Sequence, residues 1–198
     1  MSDRQIVMLP TGAPTASAMQ PAERPKSLAG VRVGLIDNGK EFSDLVLEAL
    51  AEALRREHGV AGIKFWRKGF PAKGAPFIAE MAAETDVAIS GVGHCGSSSP
   101  WSVIDAVNLE KAGVPSVALI SRSFCPLGQI VARGEGHGSL PIVMLPHPIG
   151  EADAGRIAQK GVDAAAECVR LLTTPSEMVG EEFAAKRVPL PEHAVPRG

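Results

Sequence analysis

Short apolar runs alternate with amphipathic stretches between residues 29 and 173 of the chain. The apolar runs end at glycine, proline or polar turn residues, and they predict strands over 31–36, 62–66, 86–90, 115–120 and 141–145. The stretches between them have the helical period: Leu47, Leu50 and Leu54, for example, share one face of the first. Helices are predicted over 43–58, 76–84, 100–113, 127–133 and 153–172.

This alternation is typical of βαβ units, in which helices cover both faces of a parallel sheet. We therefore predict an α/β fold for residues 29–173, with a single doubly wound, mostly parallel five-stranded sheet of the flavodoxin-like or Rossmann-like kind. Residues 1–28 contain four prolines and no helical period, which predicts an extended N-terminal arm. Residues 174–198 are predicted to form a proline-containing C-terminal tail.

Polar and reactive side chains gather after the predicted strands. They are Asp37, Asn38 and Lys40 after the first strand, His94 and Cys95 after the third, Cys125 after the fourth and His147 after the fifth. Ligands of open parallel sheets bind outside the carboxyl ends of the strands, so we predict the functional site at this edge. Asp37, Asn38 and Lys40 are expected to orient a substrate, or else to serve as ordinary turn and loop residues.

Cys95 carries the strongest chemical signal. It lies between a strand and a helix, and glycines on both sides, including Gly96, allow a ligand to approach the backbone closely. The start of a helix lowers the pKa of a thiol and makes it a nucleophile at neutral pH. The N–H groups there, with Ser97 and Ser98, can also bind a substrate carboxylate or a developing oxyanion. The alternative is a small buried residue that fills space beneath the loop.

The other cysteines and histidines admit more than one role. His94 is interpreted either as an orienting or substrate-binding group or as a base for Cys95, and His147 is interpreted as a proton carrier. Cys125 is either a second functional thiol at the next strand end or a packed loop cysteine. Cys168 lies at helical spacing among alanines and is predicted to be a core residue.

Composition excludes several classes of function. The 198 residues include no tyrosine and only 4% aromatics, so aromatic stacking on single-stranded nucleic acid is not expected. The net charge of −2 gives no basic patch for nucleic acid or anionic lipid. No membrane span or signal peptide is recognised, and three scattered cysteines do not indicate a disulfide framework, so a cytoplasmic location is expected.

We predict neither a metal nor an organic cofactor. The chain has no C-x-x-C or H-x-x-x-H pair, although Cys95, Cys125 and His147 together would make a conceivable catalytic metal site. Residues 91–96 match G-x-G-x-x-G, but they follow the third strand, and no acidic residue ends the next strand to hold a ribose. A flavin site would suit the fold, yet tyrosine is absent and loop aromatics are few.

The sequence resembles the UGSC family of proteins and selenoproteins over most of its length. The resemblance is carried by residues 27–30, 33–40, 91–98 and 146–148. The motif that names the family is selenocysteine or cysteine followed by Gly, Ser and Cys, which places Cys95 at the selenocysteine position and implies a reactive thiol. Ser98 stands where the motif has its second cysteine. A C-x-x-S unit cannot resolve a mixed disulfide internally, so dithiol redox chemistry would need Cys125 as the partner.

The leading hypothesis is a cysteine-dependent enzyme that acts on a small anionic or carbonyl-containing molecule, as a lyase, hydrolase, isomerase or group-transfer enzyme. Its catalytic residues would be Cys95, His147 and Ser98. The substrate would contact Asp37, Asn38, Lys40, His94, Gly96, Ser97 and Cys125. Two alternatives are a thiol redox protein that pairs Cys95 with Cys125, and a module that binds a small molecule without catalysis. A homo-oligomer, in particular a dimer, is expected because the arm and tail are suited to packing on a neighbour.

Overall fold

In the computed structural model, which describes residues 19–69 and 71–186, the predicted strands form one five-stranded parallel sheet. The strands are β1 Arg32–Asp37, β2 Gly62–Arg67, β3 Val87–Gly93, β4 Ser116–Ser121 and β5 Ile142–Leu145. The helices are α1 Ser43–His58, α2 Ile78–Glu84, α3 Ser98–Lys111, α4 Cys125–Gly134, α5 Ala154–Thr173 and α6 Ser176–Ala185. A 3-10 turn at Arg122–Phe124 joins β4 to α4. Residues 1–18 of the predicted arm and 187–198 of the predicted tail lie outside the described residues.

The strand order is β2-β1-β3-β4-β5, which is the flavodoxin-like arrangement. The predicted doubly wound α/β fold is therefore confirmed. In this order the chain reverses its direction of travel across the sheet between β1 and β3. The loops that leave the carboxyl ends of these two strands part to opposite faces and open a crevice, where ligands of such folds bind.

Alternate residues of the central strands face two helical layers. In β4, Val117 and Leu119 pack in one core cluster with residues of α1 and α5, whereas Ala118 and Ile120 pack in another with residues of α3 and α4. Both β3 and β4 are buried along their whole length. This accounts for the uninterrupted apolar runs that predicted them, because a parallel strand is covered on both faces.

Gly161 permits the close packing of α5 on α1. A Cβ atom at this position would lie 2.0 Å from the carbonyl oxygen of Val46, which is backbone and cannot turn aside. We expect Gly161→Ala to lower the free energy of unfolding by about 1–3 kcal/mol, measured by urea denaturation. Gly134→Ala is the matched control, because its Cβ meets open space at the end of α4; a comparable loss there would contradict this account.

The structure contains a helix that the sequence patterns did not predict. Helix α6 occupies the first part of the expected tail, and its residues Val179 and Phe183 are buried in the core cluster of α1 and α5. The signal was the i, i+4 spacing of these two side chains. The prolines nearby were interpreted as marks of irregular structure, but Pro175 lies immediately before the helix, where proline is well tolerated.

The described part of the arm, residues 19–28, lies against the domain. Leu28 is buried in the core, and the guanidinium of Arg24 forms an ion pair with Glu110 of α3 at 2.9 Å, with both side chains fully buried. Arg24 also donates to the carbonyl oxygen of Leu171 in α5 at 2.9 Å. The arm is therefore anchored to helices on both faces of the sheet.

Candidate active site

The crevice between β1 and β3 is held together by Asn38. Its backbone N–H donates to the carbonyl oxygen of Gly91 at 2.9 Å. Its side-chain amide donates to the carbonyl oxygen of Val92 at 2.7 Å and to the Ser102 hydroxyl at 3.0 Å. Asn38 is buried. Its side chain, which the sequence predicts to bind substrate, links β1, β3 and α3.

The side chain of Asp37 has protein partners as well. One carboxylate oxygen accepts hydrogen bonds from the Ser43 hydroxyl and from the N–H of Gly39. The other lies 3.2 Å from Nε of Arg67 at the end of β2. Asp37 is 4% exposed, and it shapes the turn into α1, which is the alternative that the sequence left open for it.

The Cys95 thiol lies at the start of α3, partly exposed to solvent. Its Sγ is 3.0 Å from the Ser98 hydroxyl, 3.4 Å from the Ser97 hydroxyl and 3.3 Å from the backbone N–H of Ser98. Burial opposes ionisation of the thiol. The hydroxyl and backbone groups of the two serines outweigh it and lower the pKa of Cys95 to about 7.

The Ser98 hydroxyl is oriented for this role. Its oxygen accepts a hydrogen bond from the backbone N–H of His94 at 3.1 Å, which leaves its own proton for the sulfur of Cys95. Ser98 is 2% exposed, so little water competes for that proton. Ser98 is therefore placed to act as a hydrogen-bond donor to the thiolate.

Two glycines in the same loop have opposite surroundings. A Cβ on Gly93 would lie 2.7 Å from the Cα of Ser99, so this glycine lets β3 end directly against α3. A Cβ on Gly96 would meet no atom within 4 Å. The space beside Gly96 is open, and a ligand can reach the backbone next to Cys95 there.

Lys40 and His147 both lie close enough to His94 to influence it. His94 Nε2 is 3.1 Å from the carbonyl oxygen of Glu41, in the loop after β1. Burial lowers the pKa of His94, and the charges of Lys40 and His147 add to this shift, although the hydrogen bond with the Glu41 carbonyl and the charge of Glu41 oppose it. The Lys40 ammonium forms no hydrogen bond or ion pair with the described residues. The structure thus brings together the predicted groups from the ends of β1, β3 and β5.

His147 is exposed at the end of β5 and is held from two sides. Its Nδ1 is 3.2 Å from the Ser121 hydroxyl, and its ring meets the ring of Phe124 edge-on at a centroid distance of 5.9 Å. It lines a cavity of about 260 Å³ between the ends of β4 and β5, together with Arg122. The sequence interpretation assigned no role to Arg122, because nothing in its local sequence indicates which way the side chain leaves the strand.

Cys125 is set apart from the exposed groups. It is buried at the start of α4 in the cluster that contains Val103 and Ile120, and its thiol lies 3.6 Å from the Ile120 carbonyl oxygen. Burial raises the pKa of Cys125 to about 11, although the charge of Arg122 opposes the shift. Cys168 is fully buried in α5, and burial raises its pKa as well. Cys125 therefore has the surroundings of a packed loop cysteine, which is one of the two alternatives that the sequence left open.

Two other cavities have linings without Cys95, and one of them, of about 390 Å³, is lined in part by Cys125. A cavity of about 840 Å³ lies between the described arm and α6, and its lining includes none of the predicted site residues. Within residues 19–69 and 71–186, no group of three or more His, Cys, Asp or Glu side chains is arranged to hold a metal ion. In the same residues, no helix has the length and apolar character needed to cross a membrane.

Comparisons with known proteins give one family and distant structural neighbours. The UGSC family model matches residues 6–174, and no curated protein matches the chain. The lactose-specific IIB component domain of the phosphoenolpyruvate:carbohydrate phosphotransferase system from Streptococcus pneumoniae is 11% identical, with 69% of this chain and 92% of that chain covered and a TM-score of 0.30. A flavodoxin-like domain from a Synechococcus protein is 15% identical, with coverages of 70% and 99% and a TM-score of 0.34.

Proposed function

The chain belongs to the UGSC family, and from this membership and the surroundings of Cys95 we propose a cysteine-dependent enzyme that acts on a small anionic or carbonyl-containing molecule. The observation that carries the proposal is the set of three donors within 3.4 Å of the Cys95 sulfur, from Ser97 and Ser98. They stabilise the thiolate, which is the nucleophilic form of cysteine, at neutral pH.

The common first step for a carbonyl substrate is addition of the thiolate. A lone pair on Cys95 Sγ forms a C–S bond to the carbonyl carbon, and the C=O π pair moves to the oxygen. That oxyanion would lie beside the N-terminus of α3, where backbone N–H groups favour negative charge. The proton that neutralises this oxyanion comes from solvent, which reaches the open space beside Gly96. Whether the adduct then eliminates, hydrolyses, isomerises or transfers a group depends on the substrate.

The two alternatives have less support. A disulfide between Cys95 and Cys125 would require a thiol that is buried and whose pKa is raised to about 11 to meet an exposed one. Mass spectrometry after mild peroxide tests this directly, because the redox hypothesis expects the Cys95–Cys125 disulfide. A purely binding module has no need of a thiol whose pKa is lowered.

The thiolate itself is tested by alkylation at varying pH. We expect iodoacetamide to modify Cys95 with a rate that rises through a midpoint near pH 7, because the pKa is lowered to about 7. Cys125 and Cys168 stay unmodified in the folded protein because they are buried. Peptide mass spectrometry identifies the modified residue, and Cys95→Ser shows that the signal comes from this thiol. A midpoint near the ordinary cysteine value of about 8.5 would favour the binding module over the enzyme.

The predicted small-molecule substrate, homodimer and cytoplasmic location stay predictions. Competition between small anions and an alkylating reagent at Cys95 tests the binding of a small-molecule substrate. Light scattering on the full chain measures the mass in solution and thereby tests the dimer.

A further inference from the structure

Arg122 carries a charge that no described carboxylate neutralises. Of those in the part of the chain that the structure describes, only Arg122 and Arg133 form no ion pair with another described residue. Arg133 is an exposed residue near the carboxyl end of α4. Arg122 stands beyond the other end of that helix, directly after β4, at the edge of the sheet that carries Cys95.

The sheet register places the backbone of Arg122 and that of Cys95 at the carboxyl ends of neighbouring strands. Gly93 of β3 and Ile120 of β4 are register partners in a parallel pair, and neighbouring strands lie roughly 5 Å apart. Cys95 and Arg122 each follow two residues after this pair. The two segments therefore leave the sheet from neighbouring strands at its carboxyl edge, and the backbone of Arg122 lies near that of the loop that holds the thiol.

The cavity beside Arg122 is small and supplies a second donor. It measures about 260 Å³ and is lined by Arg122, His147 and parts of residues 144–146. His147 is held by the Ser121 hydroxyl at Nδ1 and by the ring of Phe124. Its Nε2 has no hydrogen-bond partner among the described residues and is available to a ligand. A guanidinium and an imidazole in one cavity of this size suit a small oxyanion rather than a large apolar group.

Few carboxylates compete for these cations. Asp37 is already occupied by Ser43, Gly39 and Arg67. The first turns of α3 and α4, the helices that follow the two central strands, contain no acidic residue. Glu41 is exposed in the loop after β1, where its backbone oxygen contacts His94. Within the described residues neither Lys40 nor Arg122 is ion-paired with a carboxylate, so both charges stay available to a ligand.

We propose that Arg122 and His147 bind an acidic oxyanion group of the substrate, a carboxylate or a phosphate, and so present a neighbouring electrophilic carbon to Cys95. This rests on the proposed function, because it names the substrate class of the same site. Arg122 is a specificity-determining residue in this arrangement. It selects a charged substrate by a guanidinium–oxyanion contact and leaves the bond-making step to the thiolate.

The test compares two alkylating probes of nearly equal shape, iodoacetate and iodoacetamide, which differ in the carboxylate. Their ratio of second-order rates with Cys95 cancels changes in the thiol itself, because both react with the same thiolate. We expect Arg122→Gln to lower the iodoacetate-to-iodoacetamide ratio roughly fivefold. Arg133→Gln removes the same charge near the far end of α4 and should leave the ratio unchanged. Equal ratios in the wild type and Arg122→Gln, or equal decreases in both variants, overturn the proposal.

Two competitors distinguish the two oxyanions. Inorganic phosphate and malonate are each added before iodoacetate, and protection that is present in the wild type and lost in Arg122→Gln supports the proposal and identifies the group. Protection by neither, or protection that survives in Arg122→Gln, overturns it. The proposed function is tested separately, by the pH profile of alkylation with iodoacetamide. Iodoacetamide is neutral and has no carboxylate for Arg122 to bind, so the outcome of that test does not depend on Arg122.

Discussion

Removal of the Ser98 hydroxyl is expected to slow alkylation of Cys95 by iodoacetamide about ten- to a hundredfold at about pH 6. In the structure this hydroxyl donates to the sulfur at 3.0 Å and is buried from competing water. A hydrogen bond to a charged group contributes about 1.5–3 kcal/mol, and 1.36 kcal/mol corresponds to one pKa unit. Ser98→Ala should therefore raise the pKa of Cys95 by roughly one to two units and reduce the thiolate fraction below the pKa by the same factor.

The sign and the controls make this result specific. At a pH above both pKa values the thiol is fully ionised in either protein, so the rate of Ser98→Ala should reach or exceed that of the wild type, because a thiolate of higher pKa is the more nucleophilic. Ser97→Ala is the matched control, because the Ser97 hydroxyl is exposed and more distant, at 3.4 Å, and its loss should have a smaller effect. Ser98→Thr retains a hydroxyl and should recover part of the rate. A rate of Ser98→Ala that stays below that of the wild type at high pH would instead indicate a displaced loop, since Ser98 also accepts from His94.

The fold class follows from local pattern, whereas the strand order does not. Buried parallel strands such as β3 and β4 read as continuous apolar runs, and amphipathic helices separate them. The same pattern is compatible with flavodoxin-like and Rossmann-like orders. What selects the order β2-β1-β3-β4-β5 is the side on which each helix packs, which depends on contacts between residues far apart in sequence, such as Gly161 and Val46.

The same distinction separates the site residues that were predictable from those that were not. Cys95, Ser97 and Ser98 interact within one turn at a helix start, so their sequence spacing is enough to predict them. The position of the Asn38 side chain depends on its hydrogen bonds to the Val92 carbonyl and to Ser102, and only the tertiary structure brings these two groups close to Asn38. Cys125 is a similar case: sequence places it at the right edge, but the packing of α4 turns its thiol towards the core.

The long-range polar contacts of the arm could not be read from sequence at all. Arg24 and Glu110 are distant in the chain, and each alone is an ordinary charged residue. In the structure Glu110 Oε1 also accepts from the backbone N–H of Ser116 at 2.7 Å, and Oε2 accepts from that of Ala22 at 2.5 Å. One buried carboxylate thus ties the arm, α3 and the start of β4 together.

Glu110→Gln is accordingly expected to lower the free energy of unfolding by about 3–5 kcal/mol, a large part of the roughly 5–15 kcal/mol of a typical domain. Glutamine has nearly the shape of glutamate and keeps one acceptor, so the change mainly removes the charge. Arg24 would then be left as an uncompensated buried cation, and the amide NH2 would face the backbone N–H of Ala22 or of Ser116, which would lose its acceptor. Urea denaturation measures the loss as a lower midpoint at an unchanged slope.

Two comparisons separate the buried charge from a general effect of the substitution. Glu84→Gln makes the same chemical change in an exposed pair with Lys64, where about half of each side chain is open to solvent, and should cost under about 1 kcal/mol. The double variant Arg24→Met with Glu110→Gln removes the unpaired cation while keeping an amide acceptor, and should regain most of the stability that Glu110→Gln loses. If Glu110→Gln were as mild as Glu84→Gln, or if the double variant were less stable than Glu110→Gln alone, the arm would not be held by the compensation of a buried charge.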